Sequence, residues 1–238
     1  MLLFYIRHGD PIYDPDSLTP LGHLQADALA KRLARYGIDE VYASSSNRAK
    51  LTAQPTCDIL KRTPIILDWC NEYYAWQDLT VPNKNGQLTW CFNEQKYLEA
   101  FCSNEVTALG ENWYEHPSFA DTKFGDGINR IKHETYAFLS KLGFTYDEKK
   151  GMYKSSVRSD RRVALFAHEG FGLAFLSTVS LIPYPTFCTR FGISHSNITV
   201  IEFPETDGYI MPKILTHSND SHIYSEGLPT KYNNTIYF

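Results

Sequence analysis

Phe4-Tyr5-Ile6-Arg7-His8-Gly9-Asp10 is the stretch whose reading decides the fold, because an apolar run ends there in a cation, an imidazole and a glycine. Residues 2–6 have the length and the aromatic and β-branched content of a buried strand. In open α/β sheets, ligands gather beyond the carboxyl ends of such strands. Arg7 and His8 then stand at that edge. Gly9, which lacks a Cβ, lets the chain turn sharply and approach a ligand closely. On these residues alone, an ordinary strand end with a solvated Arg-His pair fits equally well.

The pattern recurs along the chain. Residues 10–18 carry two prolines and three aspartates and read as a loop. Thr19 is placed to cap a helix opened by Pro20, with Ala26, Leu29, Ala30 and Leu33 on one face and Gly37 as its stop. Residues 41–43 are a short strand leading into Ser44-Ser45-Ser46. Ser46 can cap a second helix whose first turn holds Arg48, where a helix N-terminus already favours an anion. The plain alternative for Arg48 is a solvated helix-surface residue. Pro55 falls inside this helix and is expected to kink it or end it early. Residues 65–67 are a third strand.

Beyond that strand the α/β rhythm breaks. Residues 73–125 hold eleven aromatics, and three lysines against seven acids, a net charge of −4, while the other residues balance at twenty against twenty. This reads as an inserted cap, most of whose aromatics pack it onto the body. Asp126-Gly127 precedes an amphipathic helix carrying Ile128, Ile131, Phe138 and Leu142. Residues 145–161 read as a polar surface excursion. Residues 162–167 are the clearest strand in the chain and end in His168-Glu169-Gly170, followed by a helix over 170–181. Strands are expected at 198–203 and 209–215, with a loop-like tail after His217.

The whole chain of 238 residues reads as one α/β domain, 43% hydrophobic and 21% charged, with a net charge of −4 that leaves no basic footprint for nucleic acid. No apolar run reaches membrane-span length, and residues 1–6 are too short for a signal segment, so the expected location is cytoplasmic. Cys57, Cys70, Cys91, Cys102 and Cys188 are odd in number and contain no CxxC pair, as expected of buried thiols rather than disulfides or a thiolate metal site. The sequons beginning at Asn197, Asn219 and Asn233 read as chance.

Two arginines and two histidines converging on one sheet edge suit a phosphoryl group. Each guanidinium can hold two non-bridging oxygens, supplying fixed charge where kinases use Mg²⁺. One neutral imidazole could attack phosphorus in line while the other, protonated, stabilises the equatorial oxygens. No metal or cofactor is required in this reading. A metal site is the competing use of His8 and His168, but the nearby aspartates lack a ligand spacing and two arginines would repel a cation.

Taken together, Arg7-His8-Gly9, Leu18-Thr19-Pro20-Leu21-Gly22 with Gln25-Ala26, Ser44-Ser45 with Arg48-Ala49 and Thr52-Ala53, and Ala167-His168-Glu169-Gly170 resemble the histidine phosphatase superfamily, the phosphoglycerate mutase-like fold. Residues 194–202 also resemble that family's last strand. The resemblance implies a three-layer fold, a mixed, mainly parallel sheet with helices on both faces. It further implies that His8 becomes phosphorylated, that Arg7, Arg48 and His168 bind the phosphoryl group with Glu169 beside them, and that a carboxylic acid protonates the leaving group. Glu72, in Cys70-Asn71-Glu72, resembles the Asn-Glu step of the mutase-like branch, whereas Glu169 adjoins His168 like the His-Asp pair of the acid-phosphatase branch. Glu72 is preferred because the remaining motifs belong to the mutase-like branch. In mutase and fructose-bisphosphatase relatives the motif continues after the glycine with a Thr or Ser and then an Asn that helps bind phosphate, whereas here Asp10-Pro11-Ile12-Tyr13-Asp14 follows, so one phosphate contact is unassigned.

The expected activity is a metal-independent phosphomonoesterase acting on a small phosphate ester. Its rivals are a phosphoglycerate mutase and a non-catalytic phospho-ligand binder. A mutase cap should bring extra cations, and this one has no arginine. The ring-rich, acidic cap suggests uncharged or aromatic-bearing monoesters over polyphosphates. No nucleic-acid or membrane partner is expected, and a homodimer is allowed for.

Overall fold

The computed structural model describes residues 1–156, 159–232 and 234; Asn233, which begins the last sequon, lies outside them. Strand β1 (Leu2–Arg7) runs into residues 10–18, where a two-residue-per-strand hairpin, β2 (Pro11–Ile12) and β3 (Ser17–Leu18), replaces the expected loop. Helix α1 (Pro20–Tyr36) is capped by Thr19, whose side chain accepts the Gly22 amide hydrogen bond, and it ends at Gly37 in the left-handed region, φ 71°. Next come β4 (Glu40–Ser44) and α2 (Asn47–Leu60), whose cap Ser46 accepts from the Ala49 amide. The helix runs past Pro55 to Leu60, so of the two outcomes expected from sequence, a kink or an early end, the early end does not occur. Pro55 forfeits its own amide bond, but Ala53, Thr56 and Cys57 stay buried on either side, and that burial carries the helix through.

After β5 (Ile65–Leu67), the stretch expected as an insert folds as α3 (Glu72–Leu79), the hairpin β6 (Thr80–Pro82) and β7 (Leu88–Trp90), then α4 (Gln95–Phe101) and α5 (Asn104–Ala108). Helix α6 (Phe124–Lys141) follows. Part of the expected surface excursion is instead a hairpin, β8 (Phe144–Asp147) and β9 (Met152–Ser155). The chain closes with β10 (Arg162–Ala167), α7 (Glu169–Ser180), α8 (Tyr184–Cys188), β11 (Ile198–Glu202), β12 (Gly208–Ile210), β13 (Lys213–Asn219) and α9 (Ser221–Ser225). The described part of the tail is therefore not all loop. Strand β12 leaves the main sheet and pairs with β9 in a small antiparallel sheet that buries Tyr153 and Phe144 against Phe203.

The main sheet has the order β13-β11-β1-β10-β4-β5. Strands β1, β10, β4 and β5 are mutually parallel and β11 is antiparallel to both its neighbours, which makes the sheet mixed and mainly parallel. Alternate side chains of β1 face opposite layers. Phe4 and Ile6 pack with Leu29 and Leu33 of α1 and Ala53 and Cys57 of α2. Leu3 and Tyr5 pack with Phe138 of α6 and with Phe171 and Phe175 of α7. Three layers follow from that alternation. The insert is held by its own rings: Phe101, Trp113, Phe119 and Phe124 form a buried cluster that meets Tyr184 of α8. All five cysteines are free and four are buried, but Cys102, just after α4, is exposed. Asn197 is buried and its side-chain amide donates to Ser218, which leaves no room for a glycan at that sequon. Among the described residues no helix is long and apolar enough to cross a membrane.

Candidate active site

Strand register brings the two histidines together. Arg7 pairs with Ala167 across β1 and β10, so the next residue of each strand, His8 and His168, leaves the sheet side by side, with ring centroids 5.2 Å apart. β4 lies on the other side of β10 and ends at Ser44, and α2 begins three residues later, which places Arg48 over both rings. Its Nε lies 3.3 Å from His8 Nε2 and its Nη2 lies 3.3 Å from His168 Nδ1. The antiparallel pairing of β11 with β1 brings residues 193–197 to the same edge, where the Ser196 amide donates to the His8 carbonyl at 3.0 Å.

Gly9 serves close approach rather than a left-handed turn. A Cβ there would stand 2.7 Å from the Gly22 carbonyl oxygen, so two glycines let the start of α1 press against the end of β1. The Gly9 amide donates to Thr52 Oγ1 at 3.0 Å, and the Asp10 amide to Gln25 Oε1 at 2.8 Å, which fixes the loop beneath His8.

The hydrogen bonds assign both tautomers. His8 Nδ1 donates to the Gly9 carbonyl at 2.8 Å, leaving the Nε2 lone pair facing Arg48. His168 Nε2 donates to Ser44 Oγ at 2.8 Å, which leaves its Nδ1 toward Arg48. Tyr5 bridges the layers beneath, donating its hydroxyl to the His168 carbonyl and accepting from the His168 amide. Burial is the largest reason that both imidazoles are held well below the usual pKa; His168, Arg7 and Arg48 add to it for His8, and both arginines for His168. Both are therefore neutral at pH 7.

The two carboxylates part company. Glu72, the first residue of α3, accepts the Gly170 amide on Oε1 at 2.8 Å and places Oε2 3.5 Å from His168 Nδ1 and 3.7 Å from Arg48 Nη2. Burial raises its pKa against the opposing pull of both arginines. Glu169 turns to the other side, pairing with Arg7 Nη1 at 2.7 Å and accepting the Ile193 amide at 3.2 Å. Arg7 is further held by the Ile193 carbonyl and by His195 Nε2, 2.7 Å from its Nη2, while its Nε is buried with no hydrogen-bond partner among the described residues.

Two neighbours escaped the sequence reading. Asp16, in the turn between β2 and β3, binds Arg48 Nη1 at 2.8 Å and accepts the Asn47 amide at 2.6 Å. His195 lies with its ring 5.5 Å from that of His8, its Nδ1 3.7 Å from Asp10, and burial next to Arg7 lowers its pKa to about 3. The only sequence cue was position, within residues 194–202 that resemble the family's last strand, and that segment reaches His8 through a pairing visible only in the fold. Asp10 accepts from the Thr19 hydroxyl at 2.7 Å.

His8, Glu72 and His168 also offer three ligand atoms within 4.8 Å of one another. With Arg48 at hydrogen-bond distance from both rings, a cation there would meet a fixed positive charge, so the set suits an anion better.

A pocket of about 530 Å³ opens beside these groups, lined by Tyr13, Arg48, Asn71, Glu72, Tyr73, Trp76 and Trp90. Apart from Glu72 at its root, none of the insert's acids lies in that lining; Asp78 and Glu111 instead pair with Arg130 and Lys132 of α6.

The model of the histidine phosphatase superfamily (branch 1) matches residues 3–114. A search of curated protein sequences gives no match. Among solved structures, a phosphoserine phosphatase variant from Entamoeba histolytica in complex with phosphoserine has a TM-score of 0.59 at 16% identity, covering 93% of this chain and 98% of that one. A mycobacterial glucosyl-3-phosphoglycerate phosphatase with inorganic phosphate scores 0.59 at 17% identity over the same shares, 93% and 98%. A putative alpha-ribazole-5'-P phosphatase from Escherichia coli scores 0.57 at 16%, over 92% and 98%. The matched segment, a little under half of the chain, contains Arg7, His8, Arg48 and Glu72 and is similar to the histidine phosphatase superfamily (branch 1), and the fold shared with these structures carries His168 to the same residues.

Proposed function

We propose that the protein is a metal-independent phosphomonoesterase that works through a phosphohistidine on His8. The observation that carries this reading is the tether of His8 Nδ1 to the Gly9 carbonyl, which presents an unprotonated Nε2 beneath Arg48. A phosphate ester seated there offers its non-bridging oxygens to Arg48 and to the unpartnered Nε of Arg7, and to His168 once the bound dianion has drawn a proton onto its Nδ1. His8 Nε2 attacks phosphorus in line and the bond to the leaving oxygen breaks. Glu72 donates its proton to that oxygen, and its raised pKa keeps the proton in place until then. In the second half, Glu72, now ionised, takes a proton from water, which attacks the phosphohistidine and releases phosphate. Splitting the displacement in two lowers the barrier of each step.

Glu169 acts in this scheme through Arg7, whose fork it holds, rather than as the acid. A mutase must also grip a second phosphate, and the residues lining the pocket supply Arg48 as their one cation. The named substrates of the three similar structures differ from one another, so they support phosphatase chemistry without choosing a substrate. The test is hydrolysis of para-nitrophenyl phosphate in EDTA with trapping of an acid-labile phosphoenzyme. Turnover without metal, with label on His8, is the expected result. Phosphate binding without turnover would turn the reading to a phospho-ligand binder, and dependence on a bisphosphate primer would turn it to a mutase.

A further inference from the structure

The wall of the pocket opposite the phosphoryl site is made of rings. Tyr13 comes from the β2–β3 turn and lies against Arg48, whose guanidinium carbon is 5.4 Å from the ring centroid. Tyr73 and Trp76 come from α3, and Trp90 from the end of β7. Trp76 and Trp90 meet edge to face at 5.1 Å and 88°, and Phe92 stacks behind Trp90 at 5.8 Å and 7°. Trp90 also rests on the start of α7, where a Cβ on Gly170 would stand 2.2 Å from its ring. That residue is the one whose amide holds Glu72. The aromatic wall is thus anchored to the backbone that positions the acid, and its rings lie on the leaving-group side of the reaction.

Tyr13 is 66% exposed and Tyr73 62% exposed, whereas Phe101, Trp113, Phe119 and Phe124 are buried in the insert's own core. Apart from Arg48 and Glu72, the lining carries no charge. Nothing there would balance a second anion on the substrate, and a flat ring could lie between Tyr13 and the Tyr73–Trp76–Trp90 side by offset or edge contacts.

Resting on the phosphatase reading above, we infer that the substrate is a phosphomonoester whose alcohol carries a flat aromatic or conjugated ring and no second anionic group, the ring being held by Tyr13, Tyr73, Trp76 and Trp90.

The test compares kcat/KM for benzyl, cyclohexylmethyl and ethyl phosphates and for 3-phosphoglycerate, because the first three leave as primary alkoxides that need similar protonation. Benzyl phosphate is expected to exceed ethyl phosphate by about tenfold or more, on the scale of a ring stacking contact plus its burial. It should also exceed the puckered cyclohexylmethyl ester, with 3-phosphoglycerate the poorest. In Tyr73→Ala and Tyr13→Ala, both at exposed positions where folding is safe, the benzyl-to-ethyl ratio should fall several-fold, and Tyr73→Phe should restore it. Turnover of all the esters with a benzyl-to-ethyl ratio near one, or with the anionic ester preferred, would overturn the ring inference while leaving the phosphatase reading intact. No turnover and no phosphoenzyme with any ester would overturn the phosphatase reading, and the inference with it.

Discussion

The carboxyl edge of β1, β10 and β4 and the insert expected at residues 73–125 share one pocket but hold their side chains by different means. At the sheet edge, His8 and His168 are fixed by strand register and by hydrogen bonds to a backbone carbonyl and a hydroxyl, Arg48 is held by Asp16, and both histidines are fully buried. In the insert, position is set by ring-on-ring contacts that close a core of their own and leave a few rings at the mouth. Register tolerates little change because a slipped strand moves every side chain to the wrong face. Aromatic packing can swap one ring for another and keep the scaffold. The first region suits chemistry that must not vary, and the second suits a choice of substrate.

Substitutions at the sheet edge should therefore have the largest effects. His8→Ala is expected to abolish turnover and the labelled phosphoenzyme together, as read by acid-quench labelling. Label appearing at His168 in that variant would reverse the roles of the two rings. Arg7→Ala, Arg48→Ala and His168→Ala should each retain the circular dichroism of the parent and lose about 10²–10³-fold in kcat, the usual cost of one transition-state contact. Near-normal kinetics in the Arg48 variant would reduce that residue to a surface partner of Asp16.

Where the two regions touch, the effect should depend on the leaving group. Glu72→Gln should slow phosphoenzyme formation from alkyl phosphates far more than from para-nitrophenyl phosphate, whose leaving group needs little protonation. Glu169→Gln should not discriminate between them, because its partner is Arg7. The opposite pattern would move the acid from the root of the insert to the end of β10.

The pH dependence divides along the same line. Lowered pKa values keep His8 unprotonated below the ordinary imidazole range, and the raised pKa of Glu72 keeps its proton above the ordinary carboxyl value of 4.5. Activity should peak on the acid side of neutrality, with the alkaline limb lost in Glu72→Gln when an aryl phosphate is the substrate. A smaller effect is expected on stability. His195 and His222 titrate at about 3 and about 4 in the fold, below the imidazole value of 6.5. The unfolded chain takes up protons that these rings refuse, so stability present above pH 6.5 is lost as the pH falls toward those values. A thermal midpoint lower by several degrees at pH 4.5 than at pH 7 would bear this out, and an unchanged midpoint would mean that the rings protonate without unfolding.

Tyr73, Trp76 and Trp90 could not be told from Phe101, Trp113 and Phe119 by sequence, since all six sit in one aromatic-rich stretch without a clean period. The acidity of that stretch was legible but misleading about the pocket, because Asp78 and Glu111 turn toward basic residues of α6. Hairpin β8–β9 was hidden for a similar reason. Its polar outer face reads as loop, and its burial of Tyr153 exists only once β12 arrives from more than fifty residues away in the chain.

By itself the sequence determined the strands that end in Arg7-His8-Gly9 and His168-Glu169-Gly170, the helix caps at Thr19 and Ser46, and the types of side chain gathered for a phosphoryl group, because these depend on local periodicity and on each residue's own chemistry. Only the tertiary structure decided that Glu72 faces His168 while Glu169 faces Arg7, that Asp16 braces Arg48, and that His195 joins the site. Each of these contacts joins segments far apart in the chain, and the direction of a side chain across such a gap is set by strand order and helix docking, which no local pattern of residues encodes.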